Sequence, residues 1–478
     1  MTTRAVQYRV EQWAQTLASR QRQRTLMCLS TSIICAAALF LALTLTEITD
    51  VDLIFAETAE LFGAALAAAL VVEAIAGIRN LLRTDIVMLV ALYGLIFLEF
   101  LFPQKSFVGL VSPDGAQTGT IASLVGFAGI ALGRHAPLRF GSGRSVPVMR
   151  DMSPRRLIQL FAAVTAVGYF DILLSVHFDL FEAIRQMAWP RFSQAWSRGK
   201  LGNLSTLVDQ LGLLIYLIPP LAGTVLAQFR RYRAGELLIV VCVLALTFYK
   251  GFAGGTRSVF IVYIITFLVA FLLARPRITA RELIPVAAGI AAAALATIMM
   301  LEFRKIGLAN YKLGEIDQAK LVVDFNLINI SRLTEVFPAQ HQFLGWEIPY
   351  SVVIRPIPRA LWPGKPTGLS FGIEDALGAH GLTLSATFVG ESFMAAGLPA
   401  VAVAGLLLGS LAASWNRVGT HLNNLFMLVF YASGFFAASL AMRSVLQAAP
   451  ALIPTFVLWL YGRRSRSVKG QRYPSGGA

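Results

Sequence analysis

Residues 20–46, RQRQRTLMCLSTSIICAAALFLALTLT, decide the fold. Arg20, Arg22 and Arg24 stand before a run from Thr25 to Thr46 that holds no charged residue. At 1.5 Å of rise per residue, a helix of about 20 apolar residues crosses the roughly 30 Å of hydrocarbon in a bilayer. No small-residue cleavage site follows, so the segment reads as an uncleaved first membrane helix rather than a signal peptide. Basic residues are retained on the cytoplasmic side, which places the N-terminus there.

The rest of the chain repeats this pattern. Of its 478 residues, 56% are hydrophobic and only 14% are charged, against roughly 25% charged in ordinary globular proteins. Mean hydropathy is +0.66. A soluble enzyme, a disordered chain and a collagen-like fibre are excluded. Twelve apolar segments are predicted, near 26–46, 53–78, 86–102, 119–133, 157–176, 206–228, 236–250, 258–274, 283–301, 388–412, 424–441 and 446–461. The expected class is an all-α polytopic membrane protein of about twelve transmembrane helices. It divides into a basic cytoplasmic N-terminus (1–25), a membrane domain (26–462) and a basic cytoplasmic tail (463–478).

The net charge of +15 follows from topology. The segments assigned to the cytoplasm include the N-terminus, Arg79 and Arg83, the loop from Arg134 to Arg156, Arg230–Arg233, Arg275–Arg281, Arg417 and the tail. They hold 25 of the 41 Lys and Arg residues and only four acids, Glu11, Asp85, Asp151 and Glu282. The positive charge therefore sets orientation, and no nucleic-acid partner is expected. Cys28, Cys35 and Cys242 lie in apolar spans and read as small packing residues, and no Cys or His spacing proposes a metal.

Two loops on the opposite face are large, about 177–205 and 302–387, and loops of such length usually carry function. The second contains an apolar helical pattern over 316–337 (Leu321, Phe325, Ile328, Val336). That pattern suits a helix lying on the membrane surface or one packed over the bundle. It also contains IPYSVVIRPIPRALWPGKP, Ile348–Pro366, in which Pro349, Pro356, Pro358, Pro363 and Pro366 predict a stiff irregular ribbon. Arg355, Arg359 and Lys365 on that ribbon suit phosphate; Trp362, with Trp346 and Tyr350 nearby, suits stacking on a sugar face or anchoring at the interface.

The turn Lys250–Ser258, KGFAGGTRS, joins spans seven and eight. Its glycines allow close backbone approach, the following helix start favours an anion, and Arg257 adds a bidentate donor. The first large loop keeps Arg185, Arg191, Arg198 and Lys200 where topology would not place them, and Arg304 opens the second, which suits an anionic ligand. Glu391, in FVGESF at the start of span ten, is either a desolvated general base or a helix cap. Asp50 and Asp52 form a DVD of the kind that can hold a divalent metal, a weak three-residue signal. Glu57, Glu60 and Glu73 in span two are expected to face the bundle interior, since facing lipid is costly.

These features together resemble the bacterial oligosaccharide repeat-unit polymerases of the O-antigen polymerase (Wzy-like) family. The many-span layout, the long loop before the last spans, GGTRS, IPRALWPGKP and FVGESFMAAGLPA carry the resemblance, over roughly the C-terminal half. The resemblance implies a helical membrane glycosyltransferase architecture (GT-C-like) with two periplasmic loops in the inner membrane of a bacterium. It implies transfer of a growing glycan from a polyprenyl diphosphate to the sugar of another lipid-linked repeat unit, with no cofactor and no metal. A surface polysaccharide (O-antigen, capsule or exopolysaccharide) is the implied product, and a chain-length regulator and a flippase are the implied partners.

Some members carry an R-x10-G motif in each large loop. Arg191 to Gly202 has that spacing, whereas none of Arg304, Arg332, Arg355 and Arg359 has a glycine eleven positions on. The implied site comprises Glu391 and Arg257 as catalytic residues. Arg191, Arg198, Arg304, Arg355, Arg359 and Lys365 would bind diphosphate, and Trp362 and Trp346 would stack on sugar. A ligase moving finished glycan to a lipid A core, and a flippase for the lipid-linked sugar, are the alternatives; an 86-residue outer loop without internal symmetry argues against a transporter.

Overall fold

A computed structural model describes the chain except residues 1–2, 139–148, 150, 191–192, 197–209, 276–277, 279–283, 285–286, 288, 291–295, 297–299, 301–306, 308–309, 311–324, 360, 367, 377–383, 423 and 464–478, and for 3–20 the backbone alone. The described residues are helical, with no named strand. We label α1 (Thr3–Thr44), α2 (Val51–Ala76), α3 (Thr84–Ile96), α4 (Pro113–Gly133), α5 (Pro154–Gly168), α6 (Phe170–Ser175), α7 (Leu180–Met187) and α8 (Ile218–Ala227). These are followed by α9 (Ala234–Ala253), α10 (Arg257–Leu273), α11 (Asn326–Val336), α12 (Glu347–Ile354), α13 (Thr387–Gly419), α14 (Leu425–Arg443), α15 (Val445–Ala451) and α16 (Ile453–Gly462). Among the described residues, nine helical stretches are long and apolar enough to cross a membrane, and α3 and α10 are shorter apolar helices. Together these coincide with eleven of the twelve predicted segments. The remaining one, 283–301, lies largely outside the described residues.

The helix starts follow ordinary capping chemistry. Ser112 and Ser153 precede Pro113 and Pro154, and each serine accepts a backbone N–H from the first turn. Asp50 caps α2 through the N–H groups of Asp52 (2.9 Å) and Leu53 (3.2 Å), and Asp52 accepts the N–H of Phe107 at 2.8 Å. Both carboxylates of the DVD are thus engaged with backbone.

At the centre of the bundle α4 and α13 run parallel in close contact. Gly126, Gly129 and Gly133 of α4 face Gly405 and Gly409 of α13; a Cβ on Gly129 would stand 3.0 Å from the Gly405 Cα, and one on Gly405 2.9 Å from the Gly126 carbonyl oxygen. Small residues at such a seam let the backbones approach, which is how membrane helices gain packing without a hydrophobic driving force. The same pairing puts the N-terminal ends of α4 and α13 together, with Arg134 and Arg417 at the other end.

At the Arg134 end a buried polar cluster ties α1, α2, α3, α4, α13 and α14. Arg134 pairs with Glu73 (3.1 Å) and Asp85 (3.5 Å), and Arg83 pairs with Asp85 at 3.0 Å. Arg134 also donates to Thr31 Oγ1 (2.9 Å), to the Met27 carbonyl (2.7 Å) and to Ser30. Asn416 donates to Asp85 and accepts from Tyr431 at 2.9 Å. Glu73, Asp85 and Arg134 are at most 2% exposed, a placement tolerable only because each is paired.

One open reading is decided, for the packed helix, and two expectations are corrected. The helical pattern over 316–337 is a helix only from Asn326 among the described residues, and it is sunk into the bundle against α4 and α13 rather than laid on its surface. Two of its buried amides donate to backbone there: Asn326 Nδ2 to the Leu95 carbonyl at 2.8 Å and Asn329 Nδ2 to that of Ser385 at 2.9 Å. Glu73 faces the interior as expected, but Glu60 is exposed on the outward side of α2 and Glu57 is half-buried, because only one face of α2 meets the bundle. Cys28 and Cys242 are likewise exposed rather than packed, and only Cys35 is partly covered.

The glycine seam makes a prediction with an internal control. Gly409→Ala drives a methyl into the Ile130 backbone, whereas Gly94→Ala in α3 meets nothing within 4 Å. Thermal unfolding in detergent is expected to show Gly409→Ala destabilised by roughly 1–3 kcal/mol, and Gly94→Ala unchanged or stabilised by up to about 1 kcal/mol. Equal melting of the two variants would contradict the seam.

Candidate active site

The long helix α13 is two helices joined at a break. Ala396 and Gly397 leave helical geometry, Gly397 at φ 68°, ψ −153°, and Pro399 follows. Such a backbone position is open only to glycine. The carbonyls released by the break are taken up by the second large loop: Leu344 N–H donates to Met394 O at 2.8 Å and Gly345 N–H to Ala395 O at 2.9 Å. The MAAGLPA part of the motif therefore makes a hinge point that pins the loop, and the short helix before it carries Glu391.

Glu391 is 7% exposed and caps a helix other than its own. One carboxylate oxygen accepts from the Ser444 hydroxyl and the other from Val445 N–H at 2.7 Å, so it closes the N-terminus of α15 across the α14–α15 junction. Ser444 Oγ in turn accepts from Gln447 N–H at 3.2 Å. The carboxylate is buried as expected, but the helix it caps is α15 and not the one it opens. The Leu446 N–H also bonds to the carboxylate, which with two acceptor sites on each oxygen leaves room for one further hydrogen bond.

The residue before Ser444 extends this network. Arg443 Nη1 donates to Ser258 Oγ at 2.8 Å, and its carbonyl accepts from Ser385 Oγ at 3.2 Å. Ser258 adjoins Arg257, which is 7% exposed in the first turn of α10. The KGFAGGTRS turn is therefore joined to Glu391 by Ser258, Arg443 and Ser444. Two of its glycines have packing reasons: Gly255 takes φ 62° to make the turn, and Gly251 leaves room for the Tyr263 ring, 2.8 Å from where a Cβ would stand.

The proline-rich stretch covers the same place from above. Its first part is the helix α12, correcting the expectation of an irregular ribbon throughout: Pro349 sits in the first turn, where its missing N–H is not needed. From Arg355 onward the chain turns. Lys365 Nζ donates to the carbonyls of Arg355 (2.9 Å) and Ile357 (2.8 Å), so this cation staples the turn and keeps one further donor. Partial burial, then the nearby Arg355 and Arg359 charges, hold the Lys365 ammonium below the ordinary lysine range. Arg355 and Lys365 line a small cleft closed by Leu446 of α15, and Arg355 lies within electrostatic range of the Glu391 carboxyl.

The expected site residues thus separate into groups. Glu391, Arg257, Arg355, Arg359 and Lys365 gather at one end of the bundle. Trp362 is 36% exposed on the turn, whereas Trp346 is 85% exposed and forms an outward stripe with Tyr350 and Val353 on α12, the pattern of an interfacial anchor. Arg191, Arg198 and Arg304, with Gly202 of the R-x10-G spacing, lie outside the described residues. Arg443 and Ser444 were missed by the sequence reading. Their signal was a lone arginine in the four-residue gap between two apolar runs, where a tight connection needs no charge.

Ser444→Ala removes the hydroxyl that serves both Glu391 and Gln447. The expected loss is about 1 kcal/mol of stability in detergent, measured by thermal unfolding; an unchanged melting curve would contradict the cap. No protein-family model, curated protein or solved structure matches the chain.

Proposed function

We propose that the protein polymerises polyprenyl-diphosphate-linked oligosaccharide repeat units, as a helical membrane glycosyltransferase (GT-C-like) of about twelve spans working at the periplasmic face of a bacterial inner membrane. One observation carries the reading: a buried carboxylate, Glu391, is held beside Arg443, Ser258 and the Arg257 turn and lies under a strand of chain bearing Arg355, Arg359 and Lys365. Orientation is supported by Arg79, Arg83, Arg134 and Arg417, which lie at the end of the bundle away from Glu391, as retention of basic residues in the cytoplasm requires.

In this reading the acceptor hydroxyl oxygen bonds to the anomeric carbon of the donor. The bond from that carbon to the diphosphate oxygen breaks, and the electron pair leaves with the diphosphate. Glu391 takes the hydroxyl proton, and its bonds from Ser444 and Val445 fix the carboxylate in place for that transfer. Arg257, Arg355 and Arg359 stabilise the charge developing on the leaving group. Lys365 acts mainly by shaping the turn that presents the two arginines. The substrates bring their own activated bond, so neither nucleotide sugar nor ATP enters the scheme. A chain-length regulator and a flippase are the partners such a reaction calls for.

Deletion of the gene tests the reading. The expected result is single repeat units on their usual acceptor; long chains held on the carrier would assign a ligase, single units trapped on the inner leaflet a flippase, and normal long chains would reject all three. Arg257→Ala and Arg359→Ala are each expected to abolish polymer with the protein still inserted in the membrane. For Glu391→Gln the expected loss of turnover is roughly 10²–10⁴-fold, the contribution of a positioned base. Full activity in all three variants would reject the site.

A further inference from the structure

A cavity of about 430 Å³ lies beside the Glu391 network. The two meet at the KGFAGGTRS turn, of which Lys250, Gly251, Ala253, Gly254 and Thr256 line the cavity. It is lined by Gly168 and Asp171 at the α5–α6 break, by Tyr216 and Tyr263, by Lys250 in the last turn of α9, and by Gln194 and Trp196 of the first large loop. This volume is in the range of small-molecule sites, roughly 300–1,000 Å³.

The charges in this cavity are not spent on each other. Asp171 and Lys250 interact electrostatically, yet they do not approach within the 4.0 Å of an ion pair. Among the described residues neither the Asp171 carboxylate nor the Lys250 ammonium has a hydrogen-bond partner. The contrast with Arg134, whose guanidinium is met on every side, is plain. A cation and an anion facing each other across a space, walled by aromatic rings, suit a neutral ligand with both acceptors and donors. Sugar hydroxyls supply both: one accepts from the ammonium while another donates to the carboxylate, and a ring face packs on indole or phenol.

Resting on the polymerase reading, we infer that this cavity is a sugar subsite that binds one ring of the lipid-linked repeat unit, with Lys250 and Asp171 as its polar contacts and Trp196 as its stacking surface. It recognises glycan and not diphosphate, so it selects which repeat unit is handed to the Glu391 site.

The test is native mass spectrometry of the purified full chain with two probes: undecaprenyl diphosphate without glycan, and the glycan-bearing lipid extracted from cells lacking the protein. Lys250→Met and the isosteric Asp171→Asn are each expected to weaken the glycan-bearing lipid at least roughly tenfold and to leave undecaprenyl diphosphate unchanged. Both variants binding both lipids like the wild type, or losing both alike, would overturn the subsite. Glu391→Gln is expected to keep binding both lipids. A Glu391→Gln protein that still polymerises in cells would sink the catalytic reading alone, because the binding ratio of the two lipids is read without turnover.

Discussion

A charge survives inside a bundle this apolar where other groups hold it or where it opens on a cavity. Moving an isolated ion out of water costs several kcal/mol, so each buried ionisable residue fixes the elements that supply its partners. Arg134 does this at one end: its ion pairs and hydrogen bonds reach α1, α2 and α3, and Asp85 passes the constraint through Asn416 to α13 and α14. Glu391 does it at the other, joining α13 to the α14–α15 junction. The first cluster is closed off from the surface, its charges spent on one another, and reads as architecture. The second keeps acceptor capacity, is overlain by cations and stands next to a cavity; that is what makes it a candidate for chemistry.

The two ends communicate through one helix. The lower part of α13 is locked to α4 by the glycine seam, and its upper part is set off by the break at Ala396 and Gly397. The break lets a rigidly packed span carry a short, separately oriented segment, and the loop residues Leu344 and Gly345 satisfy the carbonyls it exposes. Irregular backbone is tolerable here because protein N–H groups satisfy the carbonyls it frees. Glu391 is thereby positioned by its hydrogen bonds to the α14–α15 junction.

Much of the fold was legible because apolar run length is a direct consequence of bilayer thickness, and helix starts such as Ser112–Pro113 declare themselves locally. Burial was less legible. An apolar face reports the absence of water and does not say whether lipid or protein replaces it, so Asn326–Val336 is sunk in the bundle where a surface helix was one expectation, and Glu60 points outward. Proline content overstated irregularity at Pro349, since a first turn accommodates it. The site was half legible: Glu391, Arg257 and Arg355 come from motifs, but their linkage through Ser258, Arg443 and Ser444 joins residues far apart in the chain and leaves no local pattern. The unpaired Lys250 and Asp171 illustrate the same limit, because only the fold shows that they face one space.

The Glu391 end of the bundle is proposed to join one lipid-linked glycan to another with release of the lipid diphosphate. The most direct test is reconstitution of the pure protein in liposomes with the lipid-linked repeat unit as sole substrate, followed by mass spectrometry of the lipid fraction. The expected result is a series of glycans growing by whole repeat units, with one free polyprenyl diphosphate released per unit joined. A lipid-linked pool that remains at single units, with no free diphosphate formed, would contradict it.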